Sequence, residues 1–246
     1  MLILQAEEFI SLLHSLLDSE SKTREMEGQI LGDALLRTEN ATKEVISQLK
    51  ALDLPVSIKT AKQMLAGCSD YEKLHSGIEQ LANTVMLELH GRRFYGPLRR
   101  YEQYYEQSKL FGDEVFKNLP SANDDIEEAG TCLALERATA SVMHLMRVLE
   151  AGLALLAKTL GVTKQNDWGR YLRQIDDELA ARIKASGARS PDEQFYAEVA
   201  TTIDHMRRAW RNPTMHPEKT YSPERAEEIL QSVRLFMRHL ATKLRE

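Results

Sequence analysis

The residues of this chain best suited to chemistry lie in the string RNPTMH, where Arg211 and Asn212 precede His216. Arginine keeps its charge and presents a planar fork that fits phosphate oxygens. An unmodified histidine titrates near neutrality and can take or return a proton. Together they suit metal-independent cleavage of RNA. In that chemistry His216 would take the proton of a ribose 2′-hydroxyl and Arg211 would stabilise the extra charge on the phosphorane. Upstream, Asp204, Arg208 and Arg211 follow at steps of four and three, which sets them on one face of a helix, with Arg207 beside them. Arg207 and Arg208 are the candidate substrate-binding residues. The same side chains also fit plainer roles, a helix-end cap for Arg211 and His216 and a solvated face for the other two arginines.

Other groups in the sequence compete with this site. His144, Arg147 and Glu150 lie about one turn apart on an earlier helix, as either a buried salt-bridge network or a support for the site, with Glu150 the candidate member. Asp204, His205, His216 and Glu218 show no HxxxH or CxxC spacing. Cys68 and Cys132 lack the paired spacing of a zinc site or a disulfide framework. The sequence therefore predicts no metal and no cofactor. The basic-aromatic stretch from Gly91 to Gln107 is open between an RNA-binding surface and an amphipathic helix that packs its tyrosines.

Helices must position these residues. Apolar residues recur at helical spacing from Ser21 to about Leu52, at Met26, Ile30, Ala34, Ala41, Val45 and Leu49, and Pro55 is expected to end that helix. Tyr71, Leu74, Ile78, Leu81 and Val85 form a second seam, so the N-terminal half reads as an antiparallel helical hairpin. The loop-like residues 117–125 suggest a boundary, with a hairpin region over 1–119 and a bundle over 120–246.

The second half predicts four helices. The first runs from about Asp125 to Leu160 and is closed by Gly161. The next starts near Asn166 or Asp167 and ends near Gly187. The third opens on a capping box of Ser190, Pro191 and Glu193, with Tyr196, Val199, Ile203, Met206 and Trp210 buried. Pro213 and Pro217 bracket a break, since each lacks a donor and disfavours helix in the residue before it. Ser222-Pro223-Glu224 starts the last helix. Short connections make this an up-and-down bundle, and the fold class is all-α.

Composition agrees with helices. Of 246 residues, 43% are apolar and 28% charged, with only 12 Gly and 7 Pro, which excludes a disordered chain. A net charge of −5 excludes a protein that coats nucleic acid through overall positive charge, so any RNA contact must be a local patch. The start MLILQAEEFI lacks the basic flank of a signal peptide, and no apolar stretch is read as long enough to span a bilayer. The expected setting is the cytoplasm, with no membrane contact.

Spacing alone proves little, because Arg234 and His239 repeat it inside the last helix. Only Arg211 is followed by Asn, sits at a helix end and joins its histidine across Pro213. In that context AWRNPTMHPEKTYSPERAEEIL, followed by RLFMRHL, resembles the fourth-helix region of the HEPN superfamily of nucleotide-binding and RNase domains. Upstream, HLMRVLEAGLALLAKTLGV and DWGRYLRQID resemble the family's first two helices, so the likeness covers roughly Pro120 to Glu246. It implies an all-α bundle that dimerises with two RxxxxH motifs facing one cleft. It also implies ribonuclease activity without metal, in toxin or phage-defence biology, with an antitoxin or regulatory partner possible. Arg211, Asn212 and His216 take the places of the family's Arg, polar residue and His, and Glu150 resembles an acidic residue that several branches keep near the site. The toxin branch carries Tyr two residues after its His, where this chain has Glu218. The principal rival reading is a catalytically silent module that binds a nucleotide or a protein on the same bundle.

Overall fold

The computed structural model describes residues 43, 45–67, 71–92, 96–163, 165 and 167–246, and these are helical with no strand among them. The chain divides into two compact units, Met1–Phe94 and Tyr95–Glu246. The boundary thus precedes the basic-aromatic stretch's tyrosines instead of following residue 119, because Tyr101, Tyr104 and Phe111 are buried in the core of the second unit.

In the first unit the predicted Ser21–Leu52 helix is described only near its end. Met26, Ile30, Ala34 and Ala41 lie outside the described residues. Residues 45–51 are helical, with Val45 and Leu49 buried. Asp53 stops this helix in the left-handed conformation (φ 51°). Leu54 N–H donates to Leu49 O and Asp53 N–H to Lys50 O, the paired bonds that satisfy terminal carbonyls. Pro55 does not merely end a helix: it opens α1, Pro55–Gly67, where its fixed φ and missing donor cost nothing. The helix packed along α2, Tyr71–Leu89, is α1, a segment between the two helices of the expected hairpin. Ile78, Leu81 and Val85 are buried on that face, whereas the side chains of Tyr71 and Leu74 lie outside the described residues. Glu88 of α2 accepts from Val56 N–H at 2.9 Å and Ser57 N–H at 2.6 Å, capping the first turn of α1. Burial opposes its charge, but these bonds and Arg92 outweigh that and hold its carboxyl below the usual glutamate range.

The second unit is a helical bundle around one long helix. Its elements are α3 (Asp113–Asn118), α4 (Asn123–Ala134), α5 (Ala138–Leu160), α6 (Trp168–Ser186), α7 (Pro191–Met206), a π-helical turn (Arg207–Arg211), α8 (Asn212–Thr214) and α9 (Pro223–Ala241). The predicted first helix, 125–160, is in fact two. Glu136 turns the chain with φ 57°, and Arg137 N–H donates to Cys132 O while Glu136 N–H donates to Leu133 O. The chain then doubles back, so α4 and α5 pair side by side, with Ser141 Oγ donating to Ala129 O at 2.7 Å. No glycine or proline marks this turn; a non-glycine residue is held there by the packing it permits.

α5 is the central helix, with α4, α6, α7 and α9 all against it. Val142, Leu145, Leu149, Leu153, Leu156 and Leu160 are buried at helical spacing, and Met146, Val148 and Leu155 are buried too, because neighbours cover more than one stripe. α5 is also long and apolar enough to cross a membrane, contrary to the sequence expectation, and 61% of its apolar window is buried within the bundle.

The caps of the later helices follow the sequence. Asp167 accepts from Arg170 N–H, Gly187 closes α6 with φ 74°, Ser190 and Glu193 form the capping box, and Ser222 accepts from Arg225 N–H. Asn166 lies outside the described residues.

The segment before α4 belongs to this core. Tyr101, Tyr104, Phe111, Val115 and Leu119 are all buried with it. Tyr101 and Tyr104 are therefore not a stacking platform for bases, and residues 96–107 are a set of turns with a short 3-10 helix at Glu102–Tyr104 instead of an amphipathic helix. Tyr104 Oη donates to Glu227 Oε1 at 2.5 Å and accepts from Gln231 Nε2 at 3.1 Å, tying this segment to α9. Burial, then the bond to Glu227, pushes the phenol up to about 12. A raised phenol stabilises the fold fully below the ordinary value of 10.0, and that contribution is lost as pH rises through about 12. Tyr104→Phe should lower stability by about 1 kcal/mol in urea denaturation at neutral pH. It should also remove a phenol that ionises near 12 from a spectrophotometric titration.

Candidate functional site

The segment carrying Arg211 and His216 is shaped by Pro213. An α-helix here would need Pro213 to donate to Ala209 O, and the proline ring would press on that carbonyl. The chain avoids both by widening for one turn: Asn212 N–H donates to Arg207 O, five residues back. Pro213 then falls in the first positions of α8, where no donor is needed. The helical path therefore continues to Thr214, and the turn begins at Met215, not at Pro213. Thr214, 5% exposed, ends it: Oγ1 donates to Trp210 O at 2.6 Å and meets Tyr221 Oη at 2.8 Å. Tyr221 N–H in turn donates to Thr139 Oγ1 of α5 at 3.1 Å. Tyr221 is thus an anchor of the loop, a role the sequence did not suggest.

Arg211 and Asn212 are half-buried and His216 is exposed. The chain between them is compact, with Met215 N–H directed to the carbonyls of Arg211 and Asn212 at 3.3 Å and His216 N–H bonded to Pro213 O at 3.0 Å. The Arg211 guanidinium lies 5.6 Å from the Trp168 ring centre, a cation–π contact with the first residue of α6. Trp168 is buried and its indole N–H has no hydrogen-bond partner among the described residues. No carboxylate among the described residues pairs with Arg211, and no side-chain bond holds His216.

The neighbouring arginines are different. Asp204 Oδ1 accepts from Arg207 Nε at 2.9 Å and Nη2 at 2.7 Å, and Asp204 Oδ2 takes Arg208 Nε at 2.7 Å. Burial disfavours the Asp204 carboxylate, but the two arginines outweigh it and hold it below the usual range. Arg207 is 19% exposed, so it clasps Asp204 more than it faces solvent, whereas Arg208 is 70% exposed. Across α6, burial and then the charges of Asp204 and Asp177 push Asp176 up. The expected patch of three arginines is therefore partly neutralised, and among the described residues Arg211 meets the Trp168 ring but no carboxylate. A lowered carboxyl contributes stability that is complete above the ordinary aspartate value of 3.8 and is lost as pH falls through the lower native value. Asp204→Asn should consequently flatten the acid limb of a plot of urea midpoint against pH; an acid limb as steep as wild type would contradict this.

His144 and Arg147 do form an ion-pair network, but with Asp125 of α4 and without Glu150. His144 Nδ1 is 2.8 Å and Arg147 Nε 2.7 Å from Asp125 Oδ1. Burial opposes the Asp125 charge, and the bonds from Arg147 and His144 override it to lower the carboxyl. Glu150 is exposed on α5 and makes no hydrogen bond or ion pair among the described residues.

The same hairpin gathers a group that spacing did not reveal. Donor atoms of Glu128, Cys132 and His144 all lie within 4.8 Å of one another. Burial, then the charge of Glu128, pushes the Cys132 thiol up. The available signal was Glu128 and Cys132 four residues apart on one helical face; the contribution of His144 requires the α4–α5 turn. Cys68 lies outside the described residues. No family model, curated protein or solved structure matches the chain.

Proposed function

We propose that the bundle over the second half of the chain is a HEPN-type endoribonuclease that cleaves RNA without metal, acting in toxin or phage-defence biology. The observation that carries this reading is the contrast within the arginine face. Arg207 and Arg208 are held by Asp204, while Arg211 has no carboxylate partner among the described residues and stands at the end of the π-helical turn, five residues before the exposed His216. A π-helical turn at this point also favours a working site, since such turns are commonly kept where function needs them.

In this mechanism Arg211 binds the scissile phosphate and His216 removes the 2′-hydroxyl proton. The 2′ oxygen attacks phosphorus, the bond to the 5′ oxygen breaks, and the departing oxygen takes up a proton, leaving a cyclic phosphate. Asn212 orients the pair. Arg208, exposed beside Arg211, contacts the backbone, Arg207 positions the face through Asp204, and Glu150 is retained as an outlying member. Two copies bring their motifs to one cleft in a homodimer, and the first unit extends the dimer interface or senses a trigger. An antitoxin or regulatory protein restrains the enzyme in the cytoplasm.

The test is incubation of the purified chain with a mixed RNA pool in EDTA, beside Arg211→Ala and His216→Ala. Cleavage by wild type that both substitutions remove supports the site, and cleavage that survives both sinks it. A second reading, a catalytically silent module binding a nucleotide or protein on the same bundle, is favoured by the neutralising hold of Asp204 on two of the three arginines. No cleavage by any form selects that reading.

A further inference from the structure

The paired face of α4 and α5 carries side chains that RNA cleavage does not use. Glu128 and Cys132 share one face of α4, and His144 reaches them from α5, with one donor atom of each within 4.8 Å of the other two. His144 is already oriented. Its Nδ1 is 2.8 Å from Asp125 Oδ1, an oxygen that Arg147 also holds at 2.7 Å. A proton on Nδ1 leaves the lone pair on Nε2, and a carboxylate behind a histidine in this way is the usual support of a metal-ligating imidazole. Glu128 is exposed and makes no hydrogen bond or ion pair among the described residues, and Cys132 is a free thiol of intermediate exposure.

Size decides whether these donors can close on an ion. Zinc bonds of about 2.0–2.3 Å in a tetrahedron set ligand atoms roughly 3.3–3.8 Å apart. From 4.8 Å the required movement is about 1 Å, within reach of side-chain rotation in Glu128 and Cys132 without backbone change.

We propose that Glu128, Cys132 and His144 form a zinc site across the α4–α5 hairpin, with a fourth position open to solvent. One thiolate, one imidazole and one carboxylate select zinc or a similar divalent transition metal over magnesium or calcium, which take oxygen ligands. Binding forms the metal–sulfur bond and releases the Cys132 thiol proton to solvent, with no change of oxidation state. The site joins the two helices beside the turn at Glu136, which places the ion where it braces the hairpin.

The untagged full chain is titrated with Co2+, a spectroscopic substitute for zinc. A thiolate-to-cobalt charge-transfer band should develop to one equivalent and be displaced by Zn2+. Cys132→Ser should abolish it and Cys68→Ser should leave it. Asp125→Asn should weaken Zn2+ affinity by about 10–100-fold by releasing the imidazole. Absence of a band in wild type, or its survival in Cys132→Ser, overturns the proposal; unchanged affinity in Asp125→Asn overturns Nε2 as the ligand. Should His144→Gln unfold, the nearly isosteric Cys132→Ser still decides. The band is expected to persist in Arg211→Ala, so this site and the RNA site stand or fall separately.

Discussion

His216→Ala should reduce RNA cleavage by about 10²–10⁴-fold, the range that one positioned proton-transfer group contributes. The loss should appear in single-turnover rate, because His216 acts on the 2′-hydroxyl in the transition state and contributes little to holding RNA. His216 is exposed and, among the described residues, bonded into the turn only through its backbone, so the variant should melt at the wild-type temperature. Arg211→Ala should lose about 10²–10³-fold, as removal of a group that stabilises developing charge does. Arg211→Lys should recover only part of this, since an ammonium cannot bridge two phosphate oxygens as a guanidinium does. RNA affinity separates the two residues: Arg211→Ala should weaken binding and reduce its salt dependence, while His216→Ala should leave both nearly unchanged. Equal rates for wild type and His216→Ala would remove the histidine from the mechanism whatever the effect of Arg211.

Gly130→Ala should destabilise the second unit by about 1–3 kcal/mol or more, measured by urea denaturation. The sign is the informative part. Alanine inside a helix ordinarily stabilises by about 0.5–1 kcal/mol relative to glycine, through the entropy of the unfolded chain. Here a Cβ would stand 2.5 Å from the backbone carbonyl oxygen of Tyr104 and 2.8 Å from Leu110 Cδ2. Backbone cannot swing aside as a side-chain end does, so α4 or the Tyr104 turn must move. Gly77 is the control. Its added Cβ meets Met64 Cγ, also at 2.5 Å, yet that obstacle is a flexible side chain that can change rotamer. Gly77→Ala should therefore cost less than Gly130→Ala. A stabilised Gly130→Ala would show that Tyr104 does not lie against α4.

These two sites also show where local sequence is a sufficient guide. The helix starts at Asp167, Ser190 and Ser222 and the stops at Gly161 and Gly187 were legible because a cap is a contact between residues only a few positions apart. The buried positions Ile78, Leu81 and Val85 of α2 and Val199 and Ile203 of α7 were legible because helical periodicity is a property of one element. The division of 125–160 was not. Glu136 carries no turn signature, and its left-handed backbone follows from the burial gained when α4 folds onto α5. The unit boundary was misplaced for the same reason, since the burial of Tyr101, Tyr104 and Phe111 depends on helices more than a dozen residues away in the chain.

The RNPTMH string itself divides along this line. Residue types and order were enough to mark Arg211, Asn212 and His216 as a group that could handle a phosphate, and proline chemistry was enough to predict irregular backbone there. Only tertiary structure decided that the irregularity is a π-helical turn that carries the helix through Pro213 to Thr214, and that Arg211 rests on Trp168. It also decided that Asp204 takes two of the three arginines, and that Cys132, Glu128 and His144 meet at all. A sequence specifies which charges exist and which face of a helix they share. Which of them are cancelled depends on side-chain rotamers and on neighbours from other helices, and that information arises only when the helices pack.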